Sequence, residues 1–97
     1  MISFENLYFQ FSFVLMRLKL QTNRPLAPLK AWFPLPDSIL STLATINDLK
    51  HHLCTHLPVL SSARVDAKDI CLVLDEFELL NETDVGVLRD GDLVWCV

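Results

Sequence analysis

Glycine is nearly missing from this chain: Gly86 and Gly91 are the only two in 97 residues. A loop that cradles phosphate needs several glycines before backbone N–H groups can close around an anion, so nucleotide-phosphate chemistry of that kind is excluded. Long apolar runs are missing too. None approaches the ~18 residues that a membrane span requires, and Arg17 and Lys19 interrupt the stretch from Phe11 to Leu20, so no membrane partner is expected. Cysteine is sparse and unpatterned. Cys54, Cys71 and Cys96 are odd in number, lack CxxC spacing and each lie beside an apolar residue. They are expected to stay reduced as small hydrophobes, in a reducing compartment. Basic charge is also short, with eight Lys and Arg against twelve Asp and Glu for a net charge of −4. At a pI near 5.1 and without a basic stripe interleaved with aromatics, RNA binding ranks last among partner classes.

What remains is apolar enough for one small core, at 52% of the composition. From Val14 to Leu20 apolar and basic residues alternate, which places Val14, Met16, Leu18 and Leu20 on one face of a strand and Arg17 and Lys19 on the other. Leu29 to Leu35 reads as a second strand, antiparallel to the first. Pro34 has no N–H for a ladder, so this strand should lie at a sheet edge or end there. A short helical turn is expected around Ile39 to Leu43.

Thr45-Ile46-Asn47-Asp48 has the form of an N-cap with a carboxylate at the third helical position. Ile46, Leu49, Leu53 and Leu57 then share one stripe at helical spacing, and Pro58 is expected to stop the run after about three turns. Strand-type runs follow at Ile70 to Leu74 and Leu93 to Val97. Between them lies a polar excursion with a short strand, and Asp90-Gly91-Asp92 sets a tight turn before the last strand. Leu93, Trp95 and Val97 are expected to face the helix. This order gives an α+β fold: a ubiquitin-like β-grasp, with a mixed four- to five-stranded sheet and one helix packed across it.

Two resemblances add to this. Glu5-Asn6-Leu7-Tyr8-Phe9-Gln10 resembles the site of the potyviral protease used to remove expression tags. Residues 1–10 are therefore set aside as a tag remnant, and 11–97 are taken as the domain. Such a segment, rich in Phe, Leu and Tyr, can add itself as a strand to an open sheet edge. Met16 to Gln21 resembles the opening strand of the coilin amino-terminal domain. Leu29-Lys30 with Trp32 resembles its second strand, Thr45 to Leu49 its helix start, and Leu74 to Leu80 with Leu88 to Asp92 its closing half. Pro34 and an unusually apolar last strand depart from that pattern. The resemblance implies a self-associating scaffold domain of nuclear (Cajal-type) bodies, rich in small nuclear ribonucleoproteins, and hence a nuclear location.

Charge is unevenly distributed along the chain. From Phe11 to Lys50 five basic residues face two acidic ones, and from His51 to Val97 three face nine. In a β-grasp sheet Arg17, Lys19 and Lys30 should lie away from Asp75, Glu76, Glu78 and Glu82, an arrangement that permits head-to-tail pairing of copies. Trp32 reads either as an anchor for a partner's pocket or as a core residue. The expected interaction set is Arg17, Lys19, Lys30, Trp32, Asp75, Glu76, Glu78 and Glu82.

Catalytic patterns are weak. His52 and His56 have the i, i+4 spacing of two metal ligands, yet no carboxylate or cysteine converges on them in sequence, and Cys54 points to another side of the helix. No oxyanion loop or orienting third group accompanies a Cys–His pair. The chain therefore reads as no enzyme, with no cofactor and no metal. Its partners are expected to be itself, as a homo-oligomer, and other proteins. The competing reading is a monomeric adaptor that binds a partner through its open sheet face, with Leu15, Val94 and Cys96 beside Arg17 and Lys19.

Overall fold

The structure is a computed structural model that describes residues 14–24 and 26–97. The tag-like segment lies outside the described residues. Strand β1 (Val14–Thr22) pairs antiparallel with β2 (Leu29–Pro36) and parallel with β5 (Leu93–Cys96). β3 (Leu72–Leu74) pairs antiparallel with both β5 and β4 (Phe77–Leu79). The five strands run in the order β2-β1-β5-β3-β4, so β2 and β4 are the two edges. The parallel β1–β5 pair at the centre requires a long crossover, and the helices occupy it.

Three helices lie among the described residues: α1 (Asp37–Leu40), α2 (Ile46–His56) and α3 (Pro58–Ser61). α2 starts where the sequence predicts. Thr45 caps it in a full capping box: its hydroxyl accepts from Asp48 N–H, and the Asp48 carboxylate accepts from Thr45 N–H at 3.1 Å. Ala44 N–H adds a second bond to that carboxylate, at 3.0 Å, and together these bonds hold Asp48 below the usual carboxylate pKa. Ile46, Leu49, Leu53 and Leu57 are buried as expected. Pro58 ends α2 but opens α3, because at the first position of a helix its missing N–H has no partner to lose. The turn expected at Ile39 to Leu43 forms earlier, as α1.

The core is the layer between α2 and one sheet face. Leu18 and Leu20 from β1, Leu35 from β2, Leu72 from β3, and Val94 and Cys96 from β5 meet the helix stripe there. β5 departs from expectation in two respects. Leu93, Trp95 and Val97 do not face the helix, and Val94 and Cys96 do not lie on the open face; the strand has the opposite parity. The reason is register. In the parallel pairing Leu20 lies beside Val94 and Lys19 beside Leu93, so the residues that share a row with buried Leu20 go inward. Burial raises the Cys96 thiol pKa to about 11, which keeps it a protonated core residue.

Candidate functional site

The helices cover one face of the sheet; among the described residues the other face is open, and its residues can be read row by row from the registers. One row crosses all five strands: Lys30 on β2, Gln21 on β1, Trp95 on β5, Val73 on β3 and Glu78 on β4. A neighbouring row holds Trp32, Lys19 and Leu93. This face thus has an apolar middle, a cationic side and an anionic edge. Two shallow hollows mark it, one of about 220 Å³ among Lys19, Gln21, Lys30, Trp32 and Leu93, the other of about 440 Å³ among Val73, Glu76, Trp95 and Val97.

The cationic side is built around Trp32. Its ring is 58% exposed, so of its two expected roles core packing is excluded. The Lys19 ammonium lies 5.3 Å from the ring centroid and the Arg17 guanidinium 5.9 Å, both within cation–π range. Arg17 is also tied to its own chain. Its N–H donates to Asp90 Oδ1 at 2.7 Å, and its Nη2 approaches Asp90 Oδ2 at 3.4 Å. These bonds hold the Asp90 carboxyl below the usual range. The Asp90-Gly91-Asp92 turn docks on β1 through Gly91 N–H to Arg17 O (2.7 Å) and Lys19 N–H to Asp92 O (2.8 Å). Gly91 takes φ +87°, the left-handed conformation expected of it. Asp90 therefore balances Arg17 locally, whereas Lys19 and Lys30, on the same side of this face, make no carboxylate contact among the described residues.

The anionic edge is the β3–β4 hairpin. Asp75 and Glu76 form its two-residue turn with successive positive φ of 52° and 71°, as a type I′ turn requires. Glu78 lies outward on β4, and Glu82 sits in the following loop, whose Asn81 and Thr83 carbonyls accept from the first N–H groups of α2. Across four strand spacings of about 4.8 Å, the Lys30 row end is about 19 Å from β4. The predicted set thus divides into Arg17, Lys19, Lys30 and Trp32 at one side and Asp75, Glu76 and Glu78 at the other, with Glu82 beyond the hairpin.

Sequence reasoning missed Phe77. It lies on the helix side of the sheet, as its alternation with Glu76 and Glu78 implies, but at the edge the helix does not reach it and it is 75% exposed. On the opposite edge a third hollow of about 470 Å³ lies between β2 and the end of α2, lined by Leu29, Ala31, Phe33, His56 and Val59 among others.

No reacting group emerges among the described residues. His52 lies against His56 with ring centroids 4.4 Å apart and planes tilted by 48°, and meets Phe33 edge-on at 5.8 Å. Desolvation first, and the His56 charge second, push the His52 pKa down. Burial, then Asp66 and Asp69, push the Cys54 thiol up, the opposite of what a nucleophile needs. No group of three or more His, Cys, Asp or Glu converges among the described residues. Lys50, though buried, donates to Asn81 Oδ1 at 2.8 Å.

Comparison with solved structures agrees with this architecture. One similar structure is described as "Molecular Mimicry of SUMO promotes DNA repair", with a TM-score of 0.56 and 22% identity over 87% of this chain and 91% of that one. Another is the solution structure of the N-terminal ubiquitin-like domain in the 4931431F19Rik protein, with a TM-score of 0.55 and 16% identity over 89% and 75%. The fold is ubiquitin-like. No protein-family model and no curated protein matches the chain. On this ubiquitin-like frame the open face and its two edges are the surfaces left free once the helices have covered the core.

Proposed function

We propose that this ubiquitin-like domain is a non-catalytic protein-interaction module that associates with copies of itself head to tail, in the manner of the amino-terminal domain of a coilin-like nuclear-body scaffold. The observation that carries the reading is the separation of charge along the sheet, with Lys19 and Lys30 toward the β2 edge and Asp75, Glu76 and Glu78 at β4. Opposite charges at the two ends of one subunit cannot neutralise each other across about 19 Å of sheet in salt whose Debye length is about 8 Å. They can do so between copies. Such a contact is heterologous and propagates unless a ring closes. The nuclear location and the link to small nuclear ribonucleoprotein bodies follow from the coilin resemblance.

The test is static light scattering of the chain beside a Lys19→Glu, Lys30→Glu variant. Arg17 is avoided because replacing its side chain would also remove its own contact with Asp90 Oδ2. The unmodified chain is expected to gain mass with concentration at low salt, and the variant to stay monomeric with an unchanged melting curve. A monomer at low salt and high concentration would sink the proposal in favour of an adaptor that binds a different protein through the Trp32–Trp95 face.

A further inference from the structure

Among the described residues both sheet edges carry backbone groups without a strand partner, and the hydrogen bonds determine which ones. Arg17 and Lys19 direct their backbone groups at the Asp90–Asp92 turn: Arg17 N–H to Asp90, Gly91 N–H to Arg17 O, Lys19 N–H to Asp92 O. Alternation extends this to Gln21. Their partners on β2, namely Pro34, Trp32 and Lys30, therefore turn their own N–H and C=O groups toward the free edge, as members of non-hydrogen-bonded pairs do. At Pro34 the outward donor is missing, which limits any added strand to the Lys30–Trp32 end.

The other edge shows the same alternation. Cys71 and Val97 exchange both backbone bonds, at 2.8 and 3.0 Å. Two residues along, Val73 and Trp95 form the next such pair, so Val73 uses its groups on β5. Its β4 partner Glu78 accordingly points its N–H and C=O outward. Lys30 and Glu78 thus lie at opposite ends of one row, on the same sheet face, in the same hydrogen-bonding phase and with opposite charge.

Building on the self-association reading above, we infer that copies join edge to edge, β4 of one beside β2 of the next, into a continuous sheet. β2 runs antiparallel to β1, β5 parallel to it, β3 antiparallel to β5 and β4 antiparallel to β3, so β4 meets the next β2 antiparallel without any subunit turning over. Glu78 opposite Lys30 then exchanges two backbone bonds and pairs charges on the open face. In the same register Phe77 comes opposite Ala31 on the helix side, where the 470 Å³ hollow beside Phe33, His56 and Val59 lies. The exposed ring and the empty apolar hollow are the two halves of one contact. The repeat is a translation with twist, so it forms open filaments instead of a closed dimer.

Sedimentation velocity on chains with one blocked edge tests this. Lys30→Glu blocks β2 by placing like charges opposite each other; Phe77→Asp blocks β4 by putting a carboxylate into the hollow, with Phe77→Ala as the milder form should the first fail to fold. Each variant alone is expected to run as a monomer, raising the concentration at which dimers appear by about tenfold or more, the equivalent of 1.4 kcal/mol. An equimolar mixture of the two should form a dimer and nothing larger, because it contains one compatible pair of edges. If the unmodified chain is monomeric, the self-association reading fails and this one with it. If the unmodified chain assembles and both variants do so undiminished, self-association stands and the edge geometry is overturned. Loss of assembly on deleting Met1–Gln10 would also overturn it, by identifying that segment as the strand on β2.

Discussion

Replacing Glu76 with glycine should stabilise the domain, although it removes a side chain and adds no contact. Glu76 holds φ +71° in the second position of the hairpin turn. An L-residue there costs roughly 1–2 kcal/mol, because its Cβ crowds the following carbonyl oxygen. Aspartate, as a residue type, tolerates the left-handed region better than the longer glutamate. Glycine removes the penalty and gives back roughly 0.5–1 kcal/mol in backbone entropy lost on folding. The balance is a gain of about 0.5–1 kcal/mol. Since 1 kcal/mol moves the Tm of a domain under 100 residues by roughly 4–8 °C, Glu76→Gly should raise it by about 2–8 °C. Circular dichroism melts at high salt and low concentration measure this on the monomer. An unchanged Tm would refute the assignment of a left-handed two-residue turn to Asp75-Glu76. A lowered Tm would mean that Glu76 makes a native contact worth more than its strain.

Asn81→Ala should destabilise by about 1.5–3 kcal/mol, because it strands the buried Lys50 ammonium without its acceptor; chemical denaturation reads this as a lower midpoint at unchanged slope. Acid should weaken the domain in two steps. The folded-state pKa of His52 lies below its usual 6.5, so the stability it contributes is complete above pH 6.5 and declines as pH falls toward the folded value. Asp48 and Asp90 also titrate below their usual 3.8, so their contribution is present above that pH and is lost as pH falls through their lowered values. His52→Phe should flatten the first step and Asp48→Asn with Asp90→Asn the second; a stability profile that keeps both steps in these variants would show that other groups carry them.

The parts of the fold legible in the sequence are those where one residue type has one physical meaning. Alternating Arg17 and Lys19 against Met16, Leu18 and Leu20 defined β1, Thr45 with Asp48 defined the start of α2, Pro34 placed β2 at an edge, and Gly91 supplied its positive φ. β5 was misread because Leu93 to Val97 is apolar on both faces, so a period of two carries no information about which side goes inward. The pairing of Leu20 with Val94 decides it, and that is a tertiary fact. The Asp75-Glu76 turn was hidden for a related reason: a left-handed pair without glycine or asparagine leaves no compositional mark. At the candidate surface, charge separation could be counted along the chain. The alignment of Lys30 with Glu78 in one row, and the exposure of Phe77, emerged only with strand order.

The most direct test of head-to-tail association is the weight-average mass of the chain by sedimentation equilibrium as salt rises from about 10 mM, where charges act across about 30 Å, to about 1 M, where they act across about 3 Å. The account predicts multiples of 11.1 kDa at low salt that fall toward 11.1 kDa as salt rises. A mass of 11.1 kDa at every salt concentration would contradict it.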